Sequence, residues 1–244
     1  MSDFDRQRSN YSPSDAWSSS NYPGSRPLTA SETGVAERIA FIRKVYALFF
    51  AATLFAVGGV FIGFNFPPLM LAAARHPIIM FFLMIGGIYA AQAVRHKPGI
   101  NLAALFGFTT LTGIVISPLL YIISRTNPDS ITQAGVLTVG IFGGLTAYVF
   151  LTKRDFSFLG GMLTVGLIII VLASLLNIFV GSLGMGFALA VGVLLLFSGF
   201  VLYDTSNIIR RYPVTEYVSA ALALYLDAFN IFLAVLRLLN SGRR

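Results

Sequence analysis

The chain contains no cysteine, which excludes a disulfide framework, a thiolate metal site and a cysteine nucleophile, and leaves the redox compartment unread. Histidine is nearly absent. His76 and His96 are the only two, both fall in loop regions, and neither has a second ligand at helical spacing, so a histidine-dependent serine protease or a metalloprotease lacks its working parts. Charged residues make up 11% of the sequence, less than half of the roughly 25% usual in a soluble domain. The net charge of +7 is spread over the polar breaks instead of clustering with aromatics on one face, so no nucleic-acid partner is expected. No enzyme activity and no cofactor follow from this inventory.

What fills the chain instead is apolar. Hydrophobic residues are 56% of it and the mean hydropathy is +0.79, and they fall into seven blocks, at about 44–64, 78–94, 101–123, 132–151, 157–180, 185–208 and 217–239. Each block is near the ~20 residues that carry a helix across a hydrocarbon core about 30 Å thick. Backbone groups cannot go unpaired in hydrocarbon, and alternation over ~10 residues is lacking, so the blocks read as helices and not as barrel strands. Pro67-Pro68 and Pro77, Lys97-Pro98-Gly99, Asn127-Pro128-Asp129, Lys153-Arg154-Asp155, the uncharged connection near Gly181 to Gly184, and Arg210-Arg211-Tyr212-Pro213 separate them. The predicted fold class is all-α and membrane-embedded, with seven transmembrane helices over residues 35–244 and a disordered polar tail over 1–34, rich in Ser, Pro, Asn and Tyr. The first apolar run starts too late to be a secretory signal.

Lysine and arginine counts orient the bundle. With the N-terminus inside, twelve fall on the inner side, from Arg6 to Arg211, and five on the outer: Arg75, Arg125, Arg237, Arg243 and Arg244. The expected protein is therefore multi-pass, with a cytoplasmic N-terminus, in a bacterial inner membrane sooner than in an organelle. A re-entrant last segment would move three arginines inward, so full crossing of that segment stays an open expectation. Gly59-x-x-x-Gly63, Gly140-x-x-x-Gly144 and Ala188-x-x-x-Gly192 are spaced for close helix approach, within the molecule sooner than between copies. Pro118, the only proline within an apolar block, is expected to kink the third helix near its outer end and is a candidate hinge.

Acid is almost missing from the apolar blocks. Eight of the ten acidic residues lie in the N-terminal region or in polar breaks, which leaves Asp204 and Asp227. Each heads the pattern Asp-x-x-Asn, so Asn207 and Asn230 share a helix face with their aspartates. An ionisable group at membrane depth costs at least ~2.5–3.5 kcal/mol and usually faces a bundle interior or a watery cavity. Counted from the turn at Pro213, the two aspartates differ in depth by only about 7 Å, so their carboxyls can meet. Two close carboxyls in a poorly solvated site cannot both ionise cheaply, and a shared proton is expected near neutral pH. Deprotonated, the same oxygens and the asparagine carbonyls are hard donors suited to Ca²⁺. The plainer reading has each aspartate bonded to a neighbouring helix or an arginine.

The stretch LYDTSNIIRRYPVTEYVSAALALYLDAFNIFLAVLRLL, with RDFSFLGG at 154–161, GIVISPLLY at 113–121 and GGLTAYVF at 143–150, resembles the Bax inhibitor-1 family, the transmembrane Bax inhibitor motif proteins, as a bacterial member would. The resemblance covers about residues 41–240. It implies a last helix wrapped by the other six, and it implies that Asp204 and Asp227 form a pH-sensing site controlling a Ca²⁺ leak. It also implies a basic latch from helix two to the aspartate of helix six, for which Arg95 is the best match and Lys97 the second. The expected partners are membrane lipid, Ca²⁺ as transported ion, protons and a candidate membrane-protein partner. Three other functions compete: a regulator of membrane-protein quality control or cell death acting by contact, a proton-coupled transporter, and an intramembrane aspartyl protease, which the lack of a Gly-rich aspartate setting disfavours.

Overall fold

The computed structural model describes residues 28–241. The order is α1 (Val35–Asn65), α2 (Pro67–Arg75), α3 (Pro77–Ala93), α4 (Ile100–Thr126), α5 (Asp129–Thr152), a 3₁₀ turn at Ser157–Leu159, α6 (Gly160–Val180), α7 (Leu183–Arg210) and α8 (Tyr217–Ser241). Among the described residues the only strand-like pairing is one antiparallel bridge between Thr29 and Pro213. Six helices are long and apolar enough to cross a membrane, and the pair α2 and α3, bent by 98°, makes a seventh span if taken together. The short α2 occupies a stretch read from sequence as a break. Prolines at the first positions of a helix forgo N–H groups that have no partner there anyway, so Pro67-Pro68 and Pro77 start helices where they would end one from within.

Burial sorts the helices. Twelve residues of α8 are buried against one in α6, and α8 packs on α7, α5, α1 and α4. Its first turns, Val218 to Leu222, are buried on every side. In contrast α6 presents Val165, Ile168, Ile169, Leu172, Leu176 and Phe179 outward, as lipid-facing surface requires. The α1–α4 contact is the tightest in the bundle. A Cβ built on Gly59 would stand 2.0 Å from the Thr110 carbonyl oxygen, and one on Gly113 would stand 1.9 Å from that of Ala56. The Gly59 and Gly63 spacing thus serves packing within the molecule, whereas Gly140 and Gly144 face open space. Pro118 lies inside an unbroken α4. Its missing N–H frees the Ile114 carbonyl, which accepts a bond from the Ser117 hydroxyl at 2.7 Å.

The ends of the bundle are pinned separately. At one, the Arg210 guanidinium donates to the Lys153 carbonyl. At the other, the Asn240 amide donates to the Ser130 hydroxyl at 3.0 Å and its carbonyl accepts from the Asn127 amide at 3.2 Å. Lys153 and Ser130 stand at opposite ends of α5, so unbroken α8 runs the full length of the bundle, and a re-entrant last segment does not describe it. Of the polar tail, residues 1–27 lie outside the described residues. Residues 28–34 are placed, and this corrects their assignment to a disordered tail. Ala30, fully buried, donates its N–H to the Tyr212 carbonyl at 3.0 Å, Val214 N–H reaches Leu28 O at 3.3 Å, and Ser31 Oγ donates to Arg210 O at 2.7 Å.

Candidate functional site

Helices α7 and α8 form an antiparallel hairpin closed by residues 211–216. Asp204 lies six residues before the end of α7 and Asp227 ten residues into α8, and their carboxyls lie close enough to interact. Two carboxyls that interact in a poorly solvated place cannot both ionise cheaply. The two are not equivalent. Asp204 is partly exposed and lines a cleft of about 390 Å³ with Tyr203, Asn207, Arg211, Tyr212, Pro213 and Glu216. Asp227 sits behind it at 3% exposure, with its Oδ2 bonded to no donor. The cleft therefore leads to one carboxyl, and that carboxyl leads to the next.

The asparagines divide. Asn207 is buried, lines the cleft and has an unpartnered Oδ1, whereas Asn230 turns its amide to the Leu226 carbonyl of its own helix at 2.8 Å. Among the described residues no three carboxylate, imidazole or thiol groups gather as a metal site. The oxygens at the hairpin, two carboxyls and the Asn207 carbonyl, are fewer than the six to eight that a resident Ca²⁺ commonly takes.

Arg95 is not placed against Asp204. Helix α3 stops at Ala93, so Arg95 stands in the connection beyond it, where its Nε lies 3.7 Å from Oε1 of Glu216 and donates to His96 Nε2 at 3.0 Å. The latch expected on the aspartate of helix six is therefore corrected to an ion pair on Glu216, a residue of the same cleft. Lys97 makes no ion pair among the described residues; its backbone carbonyl accepts from Asn101 N–H. Pro118 lies on α4, in a part of the bundle that does not line the cleft.

Sequence reasoning missed three participants. Glu216 was read only as part of a polar break. Tyr212, in the α7–α8 connection, has its phenol pKa pushed up by burial and then by the Asp204, Glu216 and Asp227 carboxyls, so it stays a neutral donor beside the acids. Tyr46 of α1 turns its hydroxyl toward Thr205 and Thr146, all three hydroxyls being buried and outside hydrogen-bond geometry. The adjacency of Tyr212, Pro213 and Glu216 to the last polar break was the one available signal for the first two. Tyr46 left none, since its partners are remote in sequence.

Six or seven helices long and apolar enough to cross a membrane, with two interacting aspartates in the last hairpin, give the chain the make-up of a multi-pass membrane protein. The family described as inhibitor of apoptosis-promoting Bax1 matches residues 38–244, and the chain belongs to that family. It is 37% identical over 220 residues to an uncharacterized protein of Campylobacter jejuni, covering 89% of this chain and 95% of that one. It is 35% identical over 207 residues to protein lifeguard 4 of Mus musculus, covering 84% and 86%, and 36% identical over 213 residues to Bax inhibitor 1 of Schizosaccharomyces pombe, covering 83% and 77%.

Proposed function

We propose that the protein is a pH-sensitive Ca²⁺ leak channel whose proton sensor is the Asp204–Asp227 pair. The observation that carries this reading is the proximity of two carboxyls, one of which lines a cleft. A shared proton leaves the pair with one negative charge, and loss of that proton adds a second where a cation passing from the cleft would meet it. Ca²⁺ is cargo here and not a resident cofactor, and no catalytic step is assigned. The burial of α8 and its packing on four neighbours support a last helix that is the axis of the bundle, wrapped by the rest. The excess of lysine and arginine on one face supports a cytoplasmic N-terminus, and the Campylobacter relative supports a bacterial inner membrane.

The test is Ca²⁺ flux from liposomes against pH, from about pH 5 to about pH 8, for the wild type, Asp204→Asn, Asp227→Asn and the double variant at matched protein content. Each single replacement is expected to shift or flatten the response by removing the like-charge neighbour. The double replacement should abolish pH dependence near neutrality and weaken Ca²⁺ selectivity, because no other acid lies at membrane depth. Four superimposable curves would refute the reading. A second reading, a regulator of membrane-protein quality control or cell death acting by contact, draws its support from the names Bax inhibitor 1 and inhibitor of apoptosis-promoting Bax1. It needs no flux, and recovery of a defined membrane-protein partner from an inactive double variant would favour it.

A further inference from the structure

Where α1 begins and α5 and α7 end, a second cavity of about 420 Å³ is lined by four cationic side chains, Arg38, Lys153, Arg154 and Arg210. No carboxylate lines it. Two acids adjoin the lining cations in sequence: Glu37, beside Arg38, is exposed and makes no ion pair among the described residues, and Asp155, beside Arg154, is engaged elsewhere, accepting from Ser157 N–H at 2.9 Å and from the Ser206 hydroxyl at 3.3 Å and pairing with Arg211 at 3.2 Å. Among the described residues none of the four cations has an ion-pair partner. Like charges held around one small space repel, and an anion between them reverses the sign of that energy.

Two further features mark the cavity as built. Lys153 closes α5 at φ 51°, the only non-glycine among the described residues in the left-handed region. Glycine adopts that conformation at less cost, but lysine adds a cation to the cavity where glycine would add none. The remaining wall, Val149, Phe150 and Ile209, is apolar, and the next residue of α5, Leu151, is 81% exposed. Cations at helix ends beside an apolar wall and a lipid-facing flank match the amphipathic chemistry of a phospholipid. A free phosphate would use the charges and leave the wall without a partner.

We propose that this cavity binds the phosphodiester headgroup of an anionic phospholipid, with its acyl chains laid along the outward face of α5. Basic pockets between transmembrane helices at the headgroup level recognise such lipids. The test is native mass spectrometry of the detergent-purified protein titrated with phosphatidylglycerol or phosphatidylcholine. Phosphatidylglycerol should be retained and phosphatidylcholine lost. Arg154→Gln should weaken retention by about five- to tenfold, and Arg38→Gln/Arg154→Gln by more. Arg154→Lys, which keeps the charge, should stay within about twofold of wild type, and an unchanged melting temperature of Arg154→Gln in detergent should show that its loss is not misfolding. Arg43→Gln removes the same charge from an exposed position on the same end of α1 and should also stay within about twofold. Equal retention of the two lipids, an equal effect of Arg43→Gln, or displacement of phosphatidylglycerol by millimolar inorganic phosphate would each overturn the proposal.

Discussion

Removing Arg95 discriminates between two placements of the latch by magnitude alone. Its guanidinium lies 3.7 Å from Glu216, and the two side chains are 42% and 21% exposed. Half-exposed pairs of this kind contribute about 0.2–1 kcal/mol, which changes a closed-to-open ratio by about 1.4- to fivefold. A guanidinium holding the membrane-depth carboxyl of Asp204 would be a different matter. Breaking a buried pair costs about 3–5 kcal/mol, or about two to nearly four orders of magnitude in the same ratio. Arg95→Ala should therefore raise basal Ca²⁺ leak by no more than about fivefold. The assay is liposome flux for Arg95→Ala, Glu216→Gln and the double variant, read as a cycle. The double should leak no more than the worse single, and raising the salt from about 0.05 M to about 0.5 M should bring the wild type toward Arg95→Ala by screening the pair. If Arg95→Ala raises leak by the same factor with Glu216 intact or replaced, the pair does not hold the gate, and a rise of a hundredfold would return the latch to Asp204.

Gly113→Ala should lower thermal stability in detergent by about 1–3 kcal/mol, since its Cβ would meet the Ala56 carbonyl oxygen at 1.9 Å and the Val60 nitrogen at 2.9 Å; Gly140→Ala, in open space, should stay within about 0.5 kcal/mol. A cysteine replacing Asn240 should react with an impermeant thiol reagent from outside the cell while one replacing Lys153 is protected, because the two lie at opposite ends of α5 and α8; equal protection of both would contradict a full crossing. The Asp155 pKa is held down at about 2 by the N–H and hydroxyl of Ser157, then by Arg211, against the opposing effect of burial. A depressed carboxyl stabilises the fold fully above the unfolded value of about 3.9 and loses that contribution as pH falls toward 2. Asp155→Asn should accordingly melt lower than wild type by at most about 1 kcal/mol at neutral pH, with the gap closing below about pH 4.

How far the sequence spoke depended on whether the partners of a residue are near it in the chain. Turn residues marked most helix boundaries, and counting outward from Pro213 brought Asp204 and Asp227 near enough to interact, as they do. Helix α2 was missed because a proline pair was read as a break, although proline at a first turn starts a helix as readily as it stops one. Residues 28–34 were unreadable for another reason: Ala30 bonds Tyr212, some 180 residues away, and nothing local announces the pairing. Arg95 was found as a cation near the hairpin, but its partner depended on where α3 ends. Stopping at Ala93 leaves the side chain at the level of the α7–α8 turn and not at membrane depth. Glycine spacing was equally mute, for Gly59 meets a backbone at 2.0 Å and Gly140 meets nothing.

The α7–α8 turn is where these contacts accumulate. Tyr212, Pro213 and Glu216 form part of the cleft wall that leads to Asp204, and the same turn is held from two other parts of the chain. Residues 28–31 contribute the bonds of Ala30 to Tyr212, Val214 to Leu28 and Ser31 to Arg210, and the α3–α4 connection contributes Arg95. Three hydrogen bonds at a net ~0.5–1.5 kcal/mol each and a half-exposed ion pair at ~0.2–1 kcal/mol together amount to about 2–5 kcal/mol. That is the size of gap that leaves a second conformation at a few percent or less while a ligand or a proton can still shift the balance. In the leak proposed above, a proton leaving the aspartate pair would add a negative charge near Tyr212 and Glu216, and its repulsion with the Glu216 side chain would oppose the contacts that hold this turn. A restraint of this strength is weak enough for one added charge to alter, so in the proposed leak the turn is a candidate for proton control alongside Pro118.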